Sequence, residues 1–351
     1  MNDNSWQPHC PVGVSAQTER ITLAHGEGGR AMRQLIHDRI VPRLRNPNFS
    51  DANDAAALPA LQGPLAFTTD SFVVSPLFFP GGDIGTLAVY GTVNDLVVAG
   101  ARPRWLSLSF ILEEGLPLDV FDRVVESVAA AARRANVEIV TGDTKVVPRG
   151  AADGLFITTS GIGELISPIP AGPRSLLAGD ELIVSGPIGC HGVAILACRE
   201  NLGFEPAPTS DCAPLVEVAD ALRAAAIPVR AMRDATRGGV AAVLHEWAGQ
   251  CELTMRIDET ALPVSSDVRG ICELLGMDPL HVANEGTMVI AVPAGAGESG
   301  LAALRQVSLS KEAALIGAVQ PRGIAPVTIR RSLGVEQPLD EPHGAPLPRI
   351  C

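Results

Sequence analysis

Apolar residues recur along the chain at two distinct spacings. Leu118, Phe121, Val124, Val125, Val128 and Ala132 fall three and four residues apart, which predicts a helix over 118–136 with one face in a core. Leu87, Val89, Tyr90, Val93, Leu96 and Val97 carry the same period over 84–100. Between and around them, β-rich apolar runs at 65–74, 105–112, 137–141 and 155–162 read as strands. Pro168, Pro170, Gly172 and Pro173 then interrupt the rhythm and mark a boundary near 165–175. Beyond it, strands are predicted at 180–185, 253–257, 287–292 and 314–319. Helices are predicted at 191–201, 214–226, 238–248, 266–275 and near 300–307.

Neighbouring strands often lack a helix between them, so each half reads as a mixed α+β sheet rather than a doubly wound parallel one. The expected organisation is an extension at 1–20, two α/β domains at 21–168 and 169–334, and a mobile tail at 335–351. The tail carries prolines at 338, 342, 346 and 348 and ends on the bare thiol of Cys351. Such a segment favours extended conformations over a packed strand. Fully extended, it spans roughly 50 Å at about 3.3 Å per residue.

Composition narrows the function classes. Of the 351 residues, 46% are apolar but only 4% aromatic, so Val, Ala, Leu and Ile must fill the cores. The formal net charge of −12 argues against nucleic-acid binding. No apolar run reaches the roughly 20 residues that span a bilayer, and the polar stretch 1–20 lacks a signal-peptide core. A cytoplasmic protein without a membrane partner is expected. The seven cysteines contain no CxxC pair and read as reduced thiols.

Carboxylates carry the chemistry. Asp54, Asp70, Asp95, Asp143 and Asp234 each stand among small or apolar residues, where a carboxylate must be paired or metal-bound. One of them alone could be a helix cap. Together, with Lys145 and Arg237 to neutralise phosphates, they point to a magnesium–nucleotide site. Gly26, Gly28 and Gly29 in His25-Gly26-Glu27-Gly28-Gly29 precede a helix beginning near Arg30, a pattern compatible with a tight turn or with a phosphate loop. Glu285, beside Gly286 before an apolar strand, reads either as an exposed turn residue or as a general base or substrate anchor.

The motifs Leu23-Ala24-His25-Gly26-Glu27-Gly28-Gly29, Phe67-Thr68-Thr69-Asp70-Ser71-Phe72, Phe79-Pro80-Gly81-Gly82-Asp83, Gly91-Thr92-Val93-Asn94-Asp95-Leu96, Thr141-Gly142-Asp143-Thr144-Lys145, Asp234-Ala235-Thr236-Arg237-Gly238-Gly239 and Pro348-Arg349-Ile350-Cys351 occur in that order. With them the chain, from about residue 20 onward, resembles the HypE family of hydrogenase maturation factors. That family belongs to the superfamily of aminoimidazole ribonucleotide synthetase and selenophosphate synthetase. The resemblance implies two PurM-like domains, the first building a β-barrel across a homodimer.

It also implies an activity. ATP would drive dehydration of a carbamoyl group on the C-terminal thiol to a thiocyanate. The carbamoyltransferase HypF would load the thiol, and the cyano group would pass to iron on the HypC–HypD complex. In that reaction Cys351 would carry the reacting group, Lys145 would neutralise charge developing in the phosphoryl transfer, and Glu285 is the candidate base for the nitrogen protons. By motif, Asp54, Asp95 and Asp234 would bind Mg²⁺. Gly26, Gly28, Gly29, Asp70, Asn94, Asp143, Thr144 and Arg237 would surround the nucleotide. A sister synthetase or kinase of the superfamily, or a metal-binding scaffold without catalysis, are the rival readings.

Overall fold

The computed structural model describes residues 19–49, 55–342 and 349–351; Asp54 lies outside them. A 3₁₀ turn at Leu23–Gly26 leads into α1 (Arg30–Leu35), a π turn (Ile36–Ile40) and α2 (Val41–Leu44). There follow β1 (Leu65–Phe72), the short pair β2 (Phe78–Phe79) and β3 (Gly82–Asp83), α3 (Ile84–Val98), β4 (Ala101–Glu113), α4 (Leu118–Ala135), β5 (Glu138–Val147) and β6 (Leu155–Leu165). Asp83 starts α3 where it does: its Oδ1 accepts the N–H groups of Gly85 and Thr86 at 2.8 and 3.0 Å. Asn136, left-handed at φ 54°, ends α4.

Among the described residues, the strands of this half form one sheet in the order β1-β6-β4-β5. Only the β4–β5 pair is parallel. Helices α3 and α4 cover one face. Along β1 burial alternates, and Leu65 and Phe67 remain 57% and 69% exposed on the other face. Ile111 of β4 joins them there.

The second half contains β7 (Glu181–Val184), α5 (Cys190–Arg199), α6 (Val216–Ala224), β8 (Ala231–Asp234), α7 (Gly239–Cys251), β9 (Thr254–Asp258), α8 (Ser266–Leu275), β10 (Met288–Val292), α9 (Gly297–Leu304), β11 (Ala314–Gln320), β12 (Val327–Arg330) and β13 (Glu336–Pro338). Its described strands run in the order β13-β12-β9-β11-β7-β10-β8. Both faces are covered. Ile183, Ile290 and Val292 share a core with Leu222 and Leu304 of α6 and α9. Leu182, Val184, Val289 and Ala291 pack with Trp247 of α7. This explains why β10 reads as an unbroken apolar run, since a strand buried on both sides has no face to give to water.

Two features depart from expectation. The edge strand β8 and the strands β12 and β13 were not apparent from spacing. The tail does not leave the domain at 335: Glu336, Gln337 and Pro338 pair antiparallel with Arg330, Ile329 and Thr328. Proline is compatible with such an edge strand because the outer side needs no donor. Leu339 is then buried, and the rings of His245 and His281 donate from Nε2 to the carbonyls of Leu339 and Asp340 at 3.1 and 2.9 Å. Among the described residues, no helix is long and apolar enough to cross a membrane.

A truncation separates these parts of the tail. Deleting 343–351 removes the docked contacts of 349–351, including buried Ile350, and should cost about 1–3 kcal/mol. Deleting 335–351 also strips β12 of β13 and empties the Leu339 site, which should cost a further amount of about 2–5 kcal/mol in chemical unfolding. Equal stability of the two truncated chains would contradict the placement of 336–340.

Candidate active site

Helix α3 lies at the seam of the two halves and is apolar on nearly every side, with Leu87, Ala88, Val89, Val93, Leu96 and Val97 all buried. Its polar residues must therefore find partners inside the protein. Asn94 is 2% exposed; its amide donates to the carbonyls of Ala213 and Glu285 at 3.1 and 3.3 Å and accepts the Leu215 N–H at 2.8 Å. Asn94 thus braces the halves against each other, and its amide is spent on protein backbone. Asp95, on the next position, accepts the Thr68 hydroxyl at 2.7 Å and opens onto a cleft.

That cleft has a volume of about 530 Å³ and is lined among others by Asp70, Asp95, Asp234, Arg237, Glu285 and Cys351. Five loci of the chain build it. Asp70 comes from the helix-facing side of β1, and Asp95 from α3. Asp234 ends β8, and Arg237 follows in the turn to α7. Gly238 and Gly239 complete that turn with φ of 77° and 62°; a Cβ on Gly239 would stand 2.4 Å from the Leu280 carbonyl oxygen. The paired glycines of the Asp234–Gly239 motif therefore serve this backbone path. Glu285 is only 4% exposed, so the exposed-turn reading fails. Its loop is pulled in by Asp211, which accepts the N–H groups of Glu285 and Gly286 at 3.1 and 2.9 Å. Asp211 was missed in the sequence because it lies in an irregular stretch far from every motif.

Cys351 reaches the cleft because the last residues lie along 73–75. The Val73 N–H donates to the Cys351 main-chain oxygen at 3.0 Å, and the Ser75 N–H to that of Arg349 at 3.3 Å. Arg349 also donates to the Val73 carbonyl at 3.1 Å and pairs with Asp153 at 2.7 Å. Ile350 is buried.

Crowding of carboxylates in a desolvated space governs protonation here. Burial first, then Asp95, pushes Asp234 up to about 7. Burial raises Asp95 and Asp70 too. Glu285 goes well above the usual range through burial and through Asp234, Asp211 and Asp70, with Arg237 opposing. Burial, with Glu285 next, pushes the Cys351 thiol up to about 12.

The remaining predicted residues lie elsewhere. Asp70, Thr159, Leu108 and Gly142 stand on one cross-strand row, so β5 is three strand spacings from β1, roughly 14 Å. Asp143 and Lys145, paired at 2.7 Å, stand opposite Ser109 and Ile111 on the uncovered face. Thr144 is buried on the helix side. Gly26 packs on Val146: a Cβ there would stand 2.7 Å from the Val146 nitrogen. Gly28 and Gly29 face open space. The candidates thus form two groups, a carboxylate–thiol cleft and a glycine-loop–lysine edge. Among the described residues, no three His, Cys, Asp or Glu side chains converge to hold a metal by themselves.

The shift at Asp234 has a testable sign. The unfolded chain ionises this group near 3.8 and the folded chain near 7, so the folded state retains the proton between those values. The stability contribution of Asp234 therefore declines as pH rises through this window and is level above it. In chelator-treated protein, the unfolding free energy of the wild type relative to Asp234→Asn should fall from about pH 5 to about pH 8. A difference that is constant with pH would contradict the placement.

Comparison with known proteins agrees with this architecture. The models of the AIR synthase related protein N-terminal and C-terminal domains match residues 52–165 and 178–329. Carbamoyl dehydratase HypE of Escherichia coli strain K12 is 52% identical over 337 residues, covering 94% of this chain and 99% of that protein. A crystal structure of hydrogenase maturation protein HypE in complex with ATP superposes with a TM-score of 0.89 at 47% identity, covering 94% of this chain and 99% of that one. The HypE chain of a HypE–HypF complex gives a TM-score of 0.77 at 41% identity over 88% of this chain and 99% of that one. The chain belongs to the HypE carbamoyl dehydratase family, on the two-domain AIR synthase related fold.

Proposed function

We propose that this chain is an ATP-dependent carbamoyl dehydratase acting on its own C-terminal cysteine, in the cytoplasm, during [NiFe]-hydrogenase maturation. The observation that carries this reading is the position of Cys351, which shares one cleft with Glu285, Asp70, Asp95, Asp234 and Arg237. HypF is the carbamoyl donor by analogy with the HypE–HypF complex, and HypC–HypD receives the cyano group.

The chemistry uses the residues in a definite order. The carbonyl oxygen of the S-carbamoyl group is a poor leaving group. It attacks the γ-phosphorus of ATP, ADP departs, and the oxygen becomes part of a phosphate. Loss of that phosphate with both nitrogen protons leaves the S-cyano group. Overall, thiocarboxamide and ATP give thiocyanate, ADP, phosphate and one net proton. Glu285 takes a nitrogen proton. Its buried setting makes the carboxylate a stronger base than a solvated one, and Arg237 opposes the competing protonation.

Asp95 and Asp234 are hard oxygen donors whose charges repel across one cleft, which suits a divalent cation. Together with Asp54 they would hold Mg²⁺, phosphate oxygens and water completing its shell. The cation would neutralise phosphate charge.

Lys145 and the loop at Gly26, Gly28 and Gly29 need a route to this cleft. One chain keeps them an entire sheet apart. A homodimer that closes the uncovered sheet faces into a barrel would bury Leu65, Phe67 and Ile111. It would also bring Lys145 and Asp143 of one protomer toward the cleft of its partner. Release of Cys351 from its seat belongs to the same reading, since the thiol must leave the cleft to be loaded.

Incubation with HypF, carbamoyl phosphate and MgATP should add about 43 Da and then remove about 18 Da, the masses of the group gained and the water lost. Both changes should vanish in Cys351→Ala; their persistence would exclude the tail as substrate. Lys145→Ala and Cys351→Ala chains should each be inactive in dehydration, yet a mixture that exchanges protomers should recover part of the activity. No recovery, with exchange demonstrated, would place Lys145 in the cleft of its own chain. Phe67→Asp should shift the protein toward monomer in light scattering; an unchanged dimer would contradict the barrel.

A further inference from the structure

His191 plays no part in the chemistry above, yet it is fully buried and touches the tail. It stands in the first turn of α5 with 0% of its surface exposed. Its Nε2 lies 2.6 Å from the carbonyl oxygen of Ile350, the residue before the terminal cysteine. Its Nδ1 lies 2.8 Å from the Ser210 hydroxyl. Phe79 packs edge-on against the ring at 5.5 Å.

The hydrogen bonds assign the tautomer. Ser210 Oγ accepts the Cys212 N–H at 3.1 Å, so its own hydrogen is available for Nδ1. A carbonyl only accepts, so Nε2 carries the proton and donates it to Ile350. Burial lowers this histidine to about 4, which keeps the ring neutral and this pattern in place at ordinary pH. The Ser210 N–H is in turn tied to the Pro80 carbonyl at 2.9 Å. At the other end of α5, Arg199 donates to the carbonyls of Ser75 and Arg349 at 2.9 and 2.6 Å. The two ends of one helix thus hold two consecutive tail carbonyls.

We propose that His191 is a positioning residue for the dehydration: its Nε2–H latches the Ile350 carbonyl and so sets the place of the Cys351 sulfur in the carboxylate cleft. When the tail withdraws, this donor loses the Ile350 carbonyl and must exchange it for water. A hydrogen bond to a buried partner is worth a modest net amount over the water contact that replaces it, so the latch favours the seated state. The proposal rests on Cys351 being the substrate thiol; the latch contact itself does not.

The test uses full-length protein with His191→Phe, which keeps an aromatic ring beside Phe79 but removes both nitrogens. Ser210→Ala is the milder companion, since it retains the ring and frees its tautomer. The first readout is alkylation of Cys351 by N-ethylmaleimide, followed by intact mass against a Cys351→Ser control. Seated, the thiol is half-buried and weakly acidic, so the wild type should react slowly. His191→Phe should react about tenfold faster, the loss of one hydrogen bond to a buried partner, and Ser210→Ala should change in the same direction by less.

The second readout is a split in kinetics. Carbamoylation by HypF should be as fast as in the wild type or faster, while single-turnover dehydration slows about tenfold at unchanged ATP affinity. A merely structural defect would lower both steps together. Wild-type alkylation rates in both variants, or in Ser210→Ala alone if His191→Phe does not fold, would overturn the latch. If the wild type itself never dehydrated its tail, the functional reading would fail, and the alkylation comparison would still decide the latch.

Discussion

The constraint on which the structure depends is that α3 has almost no face to give to water. It packs against the first sheet and α4 on one side and against the second half on the other, so its polar groups must be satisfied within the protein. Each one then fixes something. The Thr92 hydroxyl meets that of Thr159 on β6. Asn94 ties down the loops at 213–215 and 285. Asp95 has the Thr68 hydroxyl and the cleft. The seam between the halves is therefore set by hydrogen bonds with directions, and the cleft lies where the seam opens.

Electrostatics at that opening runs against stability. Asp70, Asp95, Asp234 and Glu285 crowd one desolvated space, and each of them is raised by burial. A fold under no functional demand would not gather carboxylates this way, because burial penalises the charged form of each and their charges repel. Such a cluster is coherent as half of a site for a cation and a polyphosphate. In the proposed dimer, Lys145 and the glycine loop, with open space in front of Gly28 and Gly29, would supply the complementary half. Strand order holds the halves apart in one chain, which is the physical reason for invoking a second.

Much of this was legible in the sequence where the signal is local. The helices at 84–98 and 118–135 differ from the expected ranges only at their ends, because their apolar spacing is strong and their caps are short-range. Strand β10 was legible for the opposite reason, as a continuous apolar run. Strands β8 and β13 were not, since Arg233, Asp234, Glu336 and Pro338 give them no alternation; neighbours make them strands. The same limit applies to the site. Asp70, Asp95, Asp234, Arg237 and Glu285 were each visible, but which of them meet is decided by sheet order and register between distant segments. Asn94 looked like a nucleotide ligand and is occupied by backbone. His191 gave no signal, because one histidine in the small, apolar run Gly189-Cys190-His191-Gly192-Val193 reads as ordinary core.

The tail shows how such long-range contacts set function more tightly than composition does. Its prolines suggest a free arm from 335 onward, but β13, Leu339 and the two histidine contacts at 339–340 hold its first part to the second half. Any excursion of the sulfur in the proposed cycle would then be limited to the reach of the chain after Asp340, roughly 35 Å at about 3.3 Å per residue. At its far end, backbone bonds to Val73 and Ser75 fix a register that ends with Cys351. The Cys351 main-chain oxygen itself accepts the Val73 N–H, so the thiol is placed by counting from both ends. A shorter arm would also be less costly to bring back, since fewer residues would lose conformational freedom on docking. The anchor at 336–340 and the seat at 349–351 would thus act together in the proposed cycle: one would limit where the thiol can go, and the other would specify where it returns.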